Sequence, residues 1–169
     1  MSDLDEREVV SILDGYRNDP QQIIAALLDI QDASGKSYVD RRWALAASRA
    51  MGVPAARVHE ILTFYSMFSG VPRGRHVAEV CLSGPCLING GRELLERLAR
   101  ALGVGEGETT PDGLFTLEGA GCCGRCAGAP VVKVGDEAYT VESDGDAGEF
   151  VMSFREGTPG RREAFRCSK

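Results

Sequence analysis

Two cysteine-bearing loops, each following an alternating apolar run, restrict this chain's folding options more than any other feature. "HVAEVCLSGPCLINGG" carries Cys81 and Cys86, and "GLFTLEGAGCCGRCAGAP" carries Cys122, Cys123 and Cys126. Alternation with a period of two is the pattern of a half-buried strand, so both clusters sit where a strand gives way to a loop. A strand-rich sheet can bring two such loops to one edge, where their thiols converge.

The residues before this region read differently. The first seventy or so contain no cysteine and form a succession of helical patterns. Residues 5–17 place Val9, Ile12 and Leu13 on one stripe, with acidic residues in the first turn, where they complement the helix dipole. A second helix is expected from Asp19 as N-cap and Pro20 as first helical residue, through Ile23, Ile24, Leu27 and Leu28. "RRWALAASRAM" stops at Gly52, and "VPAARVHEILTFYSMF" begins with Pro54 in the tolerated first turn. Trp43, Leu45, Ile61, Leu62, Phe64 and Phe68 are then expected to pack a small helical core.

"SGVPRGR" at residues 69–75 marks the expected boundary, after which the order becomes strand, helix, strand, strand, strand. "GGRELLERLARALG" aligns Leu94, Leu95, Leu98 and Leu102 on one side of a helix, and "PVVKVGDEAYTV" turns at Gly135-Asp136 as a hairpin. "GDAGEFVMSFREG" closes the unit as a short helix, and "TPGRREAFRCSK" is a basic tail with Arg161, Arg162, Arg166 and Lys169. The fold class is α+β, divided as a helical region over 1–72, a cysteine-bearing domain over 73–157 and the tail over 158–169.

Composition narrows the function. A 169-residue chain with 43% hydrophobic and 26% charged residues is an ordinary globular protein of one domain with an extension, or of two small units. A net charge of −6 lacks the basic surplus of a general nucleic-acid binder. No apolar run approaches the roughly 20 residues that cross a bilayer, and the acidic N-terminus is unlike a secretory signal. A cytoplasmic location is expected. In that compartment six cysteines point to metal ligands, redox thiols or buried apolar residues rather than disulfides.

Spacing favours metal. Cys81 and Cys86 form CxxxxC, and Cys122 and Cys126 form CxxxC; two cysteines per iron is a standard ligation of a 2Fe-2S cluster. Gly84, Gly121, Gly124 and Gly128 let main-chain amides approach the cluster sulfurs, while Ala127 and Ala129 keep space around it. Structural zinc prefers the tighter CxxC grip, available here only if Cys123 replaces Cys122. A zinc-stapled interaction module without redox activity is the alternative. "CGRC" at 123–126 also reads as a dithiol, but such a pair needs a helix after it, and "AGAPVVKV" leads into a strand. Cys123 and Cys167 read as small apolar residues, and His59 and His76, the chain's two histidines, as surface or packing residues. "GVGEGE" follows a helix rather than a strand, so it is no dinucleotide fingerprint. Phe64, Tyr65 and Phe68 read as core, or else as an aromatic face for a partner.

Taken together, "IIAALLDIQDASG", "VPAARVHEILTFYSMF", "CLSGPCLINGG" and "GETTPDGLFTLEGAGCCGRCAGAPVVKV" resemble the small thioredoxin-like 2Fe-2S subunit of NADH dehydrogenases, of the type found in bacterial complex I. The same module occurs in NAD-linked and electron-bifurcating hydrogenases and in formate dehydrogenases. The resemblance is nearly full-length and implies a helical N-terminal region followed by a thioredoxin-like 2Fe-2S ferredoxin domain. It implies one cluster on Cys81, Cys86, Cys122 and Cys126, with Cys123 where the family usually has a non-ligating residue. It also implies an electron-transfer subunit with no catalytic residues of its own. Its partners would be a flavoprotein subunit holding FMN and NAD(H), and further iron-sulfur or catalytic subunits, in the cytoplasm or on the peripheral arm of a membrane complex.

Overall fold

The computed structural model describes residues 4–17 and 19–157. The basic tail, with Cys167, lies outside the described residues. The chain divides into two compact units between Arg73 and Gly74.

The first unit is helical: α1 Glu6–Asp14, α2 Ile23–Ala33, α3 Arg41–Met51 and α4 Ala55–Phe64. Its core gathers Val9, Leu13, Leu27, Ile30, Val58 and Phe68, with Trp43 and Leu62 partly buried against it. Side-chain caps set two of the starts. Asp40 accepts the Arg42 N–H at 2.7 Å, and that bond, with the Arg42 guanidinium, holds its carboxyl below the usual carboxylate range. Asp19 accepts from the Gln21 N–H at 3.2 Å, but Pro20–Gln22 is a 3-10 turn and the α-helix starts at Ile23. A tighter first turn is a common way to open a helix.

The expected helical core needs correction at two residues. Leu45 is 37% exposed and Phe64 81% exposed, whereas Phe68 is buried. Just past the end of α4, the buried amide of Gln31 donates to the Met67 carbonyl at 2.9 Å and accepts from the Ser69 N–H at 3.1 Å. A buried amide left unpaired costs about 1–3 kcal/mol. Satisfying it accompanies the early end of α4: Tyr65 is extended, and Phe68, not Phe64, turns inward.

The second unit contains β1 His76–Cys81, α5 Gly84–Ile88, α6 Gly91–Leu102, β2 Phe115–Ala120, β3 Val131–Val134, β4 Glu137–Thr140 and α7 Asp144–Arg155. Its sheet has the order β2-β1-β3-β4, with β1 and β2 parallel and the other pairs antiparallel. Ala78 and Val80 of β1, Phe115 and Leu117 of β2, and Val132 and Val134 of β3 alternate into one core. Leu94, Leu95, Leu98 and Leu102 of α6 are all buried there, with Phe150 and Phe154 of α7. Glu79 and Lys133 occupy the intervening positions and pair at 3.1 Å. Gly135, at φ 60°, supplies the tight turn between β3 and β4. His76 packs its ring 4.9 Å from Phe154 and 5.5 Å from Phe115; burial, then nearby Arg75, lowers its pKa. Among the described residues, no helix is long and apolar enough to cross a membrane.

Candidate metal centre

Parallel pairing brings the two cysteine loops together. β1 and β2 run in the same direction, with Cys81 in register with Ala120, so both strands deliver their C-terminal ends to one edge. Leu82 extends the ladder by donating its N–H to the Ala120 carbonyl at 3.0 Å, and the 121–126 loop departs beside it. β3 runs antiparallel to β1, with Val80 opposite Val132, so it enters the sheet at that same edge. Openings beyond the carboxyl ends of strands are the usual ligand sites of parallel sheets.

Cys81 ends β1 and is 2% exposed; Cys86 lies on the single-turn α5 and is 1% exposed. That turn was not evident in the sequence, which places Cys86 in a loop. Gly91, the first residue of α6, seals the pair from behind: a Cβ there would stand 2.8 Å from the Cys81 carbonyl oxygen and 2.9 Å from that of Cys86. Cys81, Cys86 and Val131 form a small buried cluster, with Cys123 and Ala129 packed against it.

The sulfurs are surrounded by donors. Burial alone pushes the Cys81 thiol up, but main-chain N–H groups of Ser83 and Cys123, with the thiols of Cys86 and Cys123, outweigh it and lower its pKa. Burial pushes Cys86 up to about 11, reinforced by its hydrogen bond with Cys81 and opposed by the Val131 N–H. Cys123 is half-buried; burial comes first in raising it, with the nearby Cys81 adding to the rise and the Arg125 N–H opposing. Cys122 and Cys126 are exposed, and all five thiols are free.

The expected ligands are therefore brought to one edge but not into one cage. Cys81 and Cys86 face each other, Cys122 and Cys126 lie outside them, and Cys123 makes the inward contact. Among the described residues, no three Cys, His, Asp or Glu side chains stand in a ready metal-binding arrangement. A dithiol at Cys123 and Cys126 gains no support from the local backbone, because Cys126 opens a 3-10 turn leading into β3.

The donor set fits an iron-sulfur cluster. Thiolates are its ligands, and N–H groups directed at sulfur stabilise the negative charge that thiolate and sulfide carry. Two features escaped sequence reasoning: the Val131 N–H near Cys86, and the exposure of Leu87 and Ile88, 45% and 86%, immediately after it. Two consecutive apolar residues in an otherwise polar turn were the available signal for the latter.

The model of the Thioredoxin-like [2Fe-2S] ferredoxin family matches residues 9–155. This chain belongs to that family. Among curated relatives of this ferredoxin, NADH-quinone oxidoreductase subunit 2 of Thermus thermophilus is 40% identical over 92 residues, which are 54% of this chain and 51% of that one. The match thus spans about half the length of that relative. NADP-reducing hydrogenase subunit HndA of Solidesulfovibrio fructosivorans is 30% identical over 133 residues, 79% of this chain and 77% of that one. A crystal structure of NAD+-reducing [NiFe]-hydrogenase in the H2-reduced state shares the ferredoxin's fold, with TM-score 0.67 and 17% identity over 85% of this chain and 24% of that one.

Proposed function

We propose that this chain is the electron-transfer subunit of an NAD(H)-linked oxidoreductase complex and carries one 2Fe-2S cluster on Cys81, Cys86, Cys122 and Cys126. The carrying observation is the convergence of two thiol loops at one sheet edge, with main-chain N–H groups aimed at the Cys81 and Cys86 sulfurs. Family membership and the redox complexes named among the relatives support the same reading. The chain serves as a conduit, with no catalytic residue of its own.

When bound, the cluster supplies one-electron redox chemistry. The protein's part is to hold and tune it. Cys81 and Cys86, fixed by β1 and α5, would hold it from the buried side, and Cys122 and Cys126 would complete the ligand set from the exposed loop. The N–H groups of Ser83 and Val131 donate to the buried thiolates, stabilising the charge gained on reduction. Exposed Leu87 and Ile88 give the rim an apolar contact for a partner. That partner is a flavoprotein subunit holding FMN and NAD(H), and further iron-sulfur or catalytic subunits complete the complex. The setting is cytoplasmic, on a soluble complex or on the peripheral arm of a membrane complex.

The test is electron paramagnetic resonance of the anaerobically purified chain before and after dithionite, with iron, sulfide and zinc assayed on the same sample. A signal that appears only on reduction, with iron and sulfide in equal amounts, is expected. Folded, colourless protein that contains zinc and stays silent in both states would replace this reading with a zinc-stapled interaction module.

A further inference from the structure

The cluster needs four thiols, yet the two loops offer five, and the one that the ligand assignment leaves unused is the one the fold turns inward. Cys123 packs against Cys81, Cys86 and Val131, whereas Cys122, its immediate neighbour, is exposed.

We propose that Cys123 is an alternative iron ligand of the same site, exchanging with Cys122 for one coordination position beside Cys81. This rests on the cluster reading above. Cys122 is exposed while Cys123 packs inward, so a rotation of the short segment around residues 122 and 123 carries one thiol inward as it carries the other out. The surroundings permit that rotation. A Cβ at Gly121 or at Gly124 would meet nothing within 4 Å, and Gly124, at φ 74°, already uses a conformation that other residues rarely adopt. Cys123 packs beside Cys81 in the structure. In the loaded chain either thiolate completes the set with Cys81, Cys86 and Cys126. The exchange is ligand substitution at iron: one Fe–S(Cys) bond breaks as another forms, the entering thiol gives up its proton, the leaving thiolate takes one up, and no electron is transferred.

Full-length chains with Cys122→Ser, Cys123→Ser, both substitutions together, and Cys126→Ser would be reconstituted anaerobically with ferrous iron and sulfide. Iron content, visible absorption and the resonance spectrum of the reduced protein are read on each, with circular dichroism as a check of folding. The expected result is that Cys122→Ser retains most of the wild-type iron but shows shifted absorption bands and g-values. Cys123→Ser should also retain most of the iron, with the spectrum of the Cys122-ligated form alone, and the double variant should fall to the background level of Cys126→Ser. A folded Cys122→Ser chain as empty as the double variant would overturn the exchange and leave Cys123 as packing. Loss on Cys123→Ser alone, with Cys122→Ser indistinguishable from wild type, would overturn it differently by making Cys123 the resident ligand. An iron-free wild-type chain would sink the cluster reading itself, so the two failures are distinguishable.

Discussion

The two cysteine loops leave the same sheet edge but are held by different means. Cys81 and Cys86 bracket the start of a strand-helix-strand crossover: one ends β1, the other sits on α5, and Gly91 locks α6 against both their carbonyls. The loop carrying Cys122 and Cys126 runs between two strands through glycines with open space around them, and its inward anchor is Cys123. One half of the centre is built by the fold. On the reading proposed above, the other is completed by the cluster, and part of the metal's binding free energy would go into fixing the loop.

The largest expected contrast is chemical. When the metal-free chain is treated with iodoacetamide and mapped by mass spectrometry, Cys122 and Cys126 should be labelled first and Cys86 last. The reagent needs exposed thiolate, and Cys86 is 1% exposed with its pKa pushed from 9.0 to about 11. At pH 8 that rise alone lowers its thiolate fraction about a hundredfold. Because pH 8 lies below the raised value, Cys86 labelling should keep climbing about tenfold per unit toward pH 10. Equal labelling of Cys86 and Cys122 in folded protein would erase the distinction between the loops.

Glycine substitutions probe the same asymmetry through stability. Gly91→Ala forces a methyl into the Cys81 and Cys86 carbonyls and should cost about 1–3 kcal/mol in denaturant unfolding, with loss of bound iron. Gly124→Ala keeps free space but strains a backbone at φ 74° and should cost about 1–2 kcal/mol. Gly121→Ala, with free space and no positive φ, should stay within about 0.5 kcal/mol of wild type. If Gly121→Ala were as damaging as Gly91→Ala, the second loop would be as tightly packed as the first.

These differences mark where the sequence stopped being legible. Alternation and leucine spacing sufficed for β1, α6 and the Gly135 hairpin, because burial of one face dictates them locally. The placement of both cysteine loops at strand ends followed from the same pattern. Periodicity cannot resolve α5, which is one turn long. It cannot foresee that a buried Gln31 amide brackets Met67 and Ser69, or that Phe64 lies outside and Phe68 inside. Nor does spacing indicate which of two adjacent cysteines faces Cys81, since the residue against which Cys123 packs lies about 40 residues earlier in the chain, on another strand.

The smallest effect tests whether the asymmetry belongs to the second unit alone. Asp40→Ala removes the N-cap of α3 in the helical unit and should cost about 1 kcal/mol at neutral pH. Its folded pKa is lowered, so the carboxylate's contribution is present above the ordinary carboxylate range and is lost as pH falls through the folded value. Wild type and variant should therefore differ in thermal unfolding at pH 7 and draw together in acid. Iron content should not change, because the cap and the cysteine loops belong to different compact units. A variant that unfolds early and also loses iron would show that the helical unit supports the centre, and the contrast between the loops would then have to be sought in the whole chain rather than in the sheet edge that carries them.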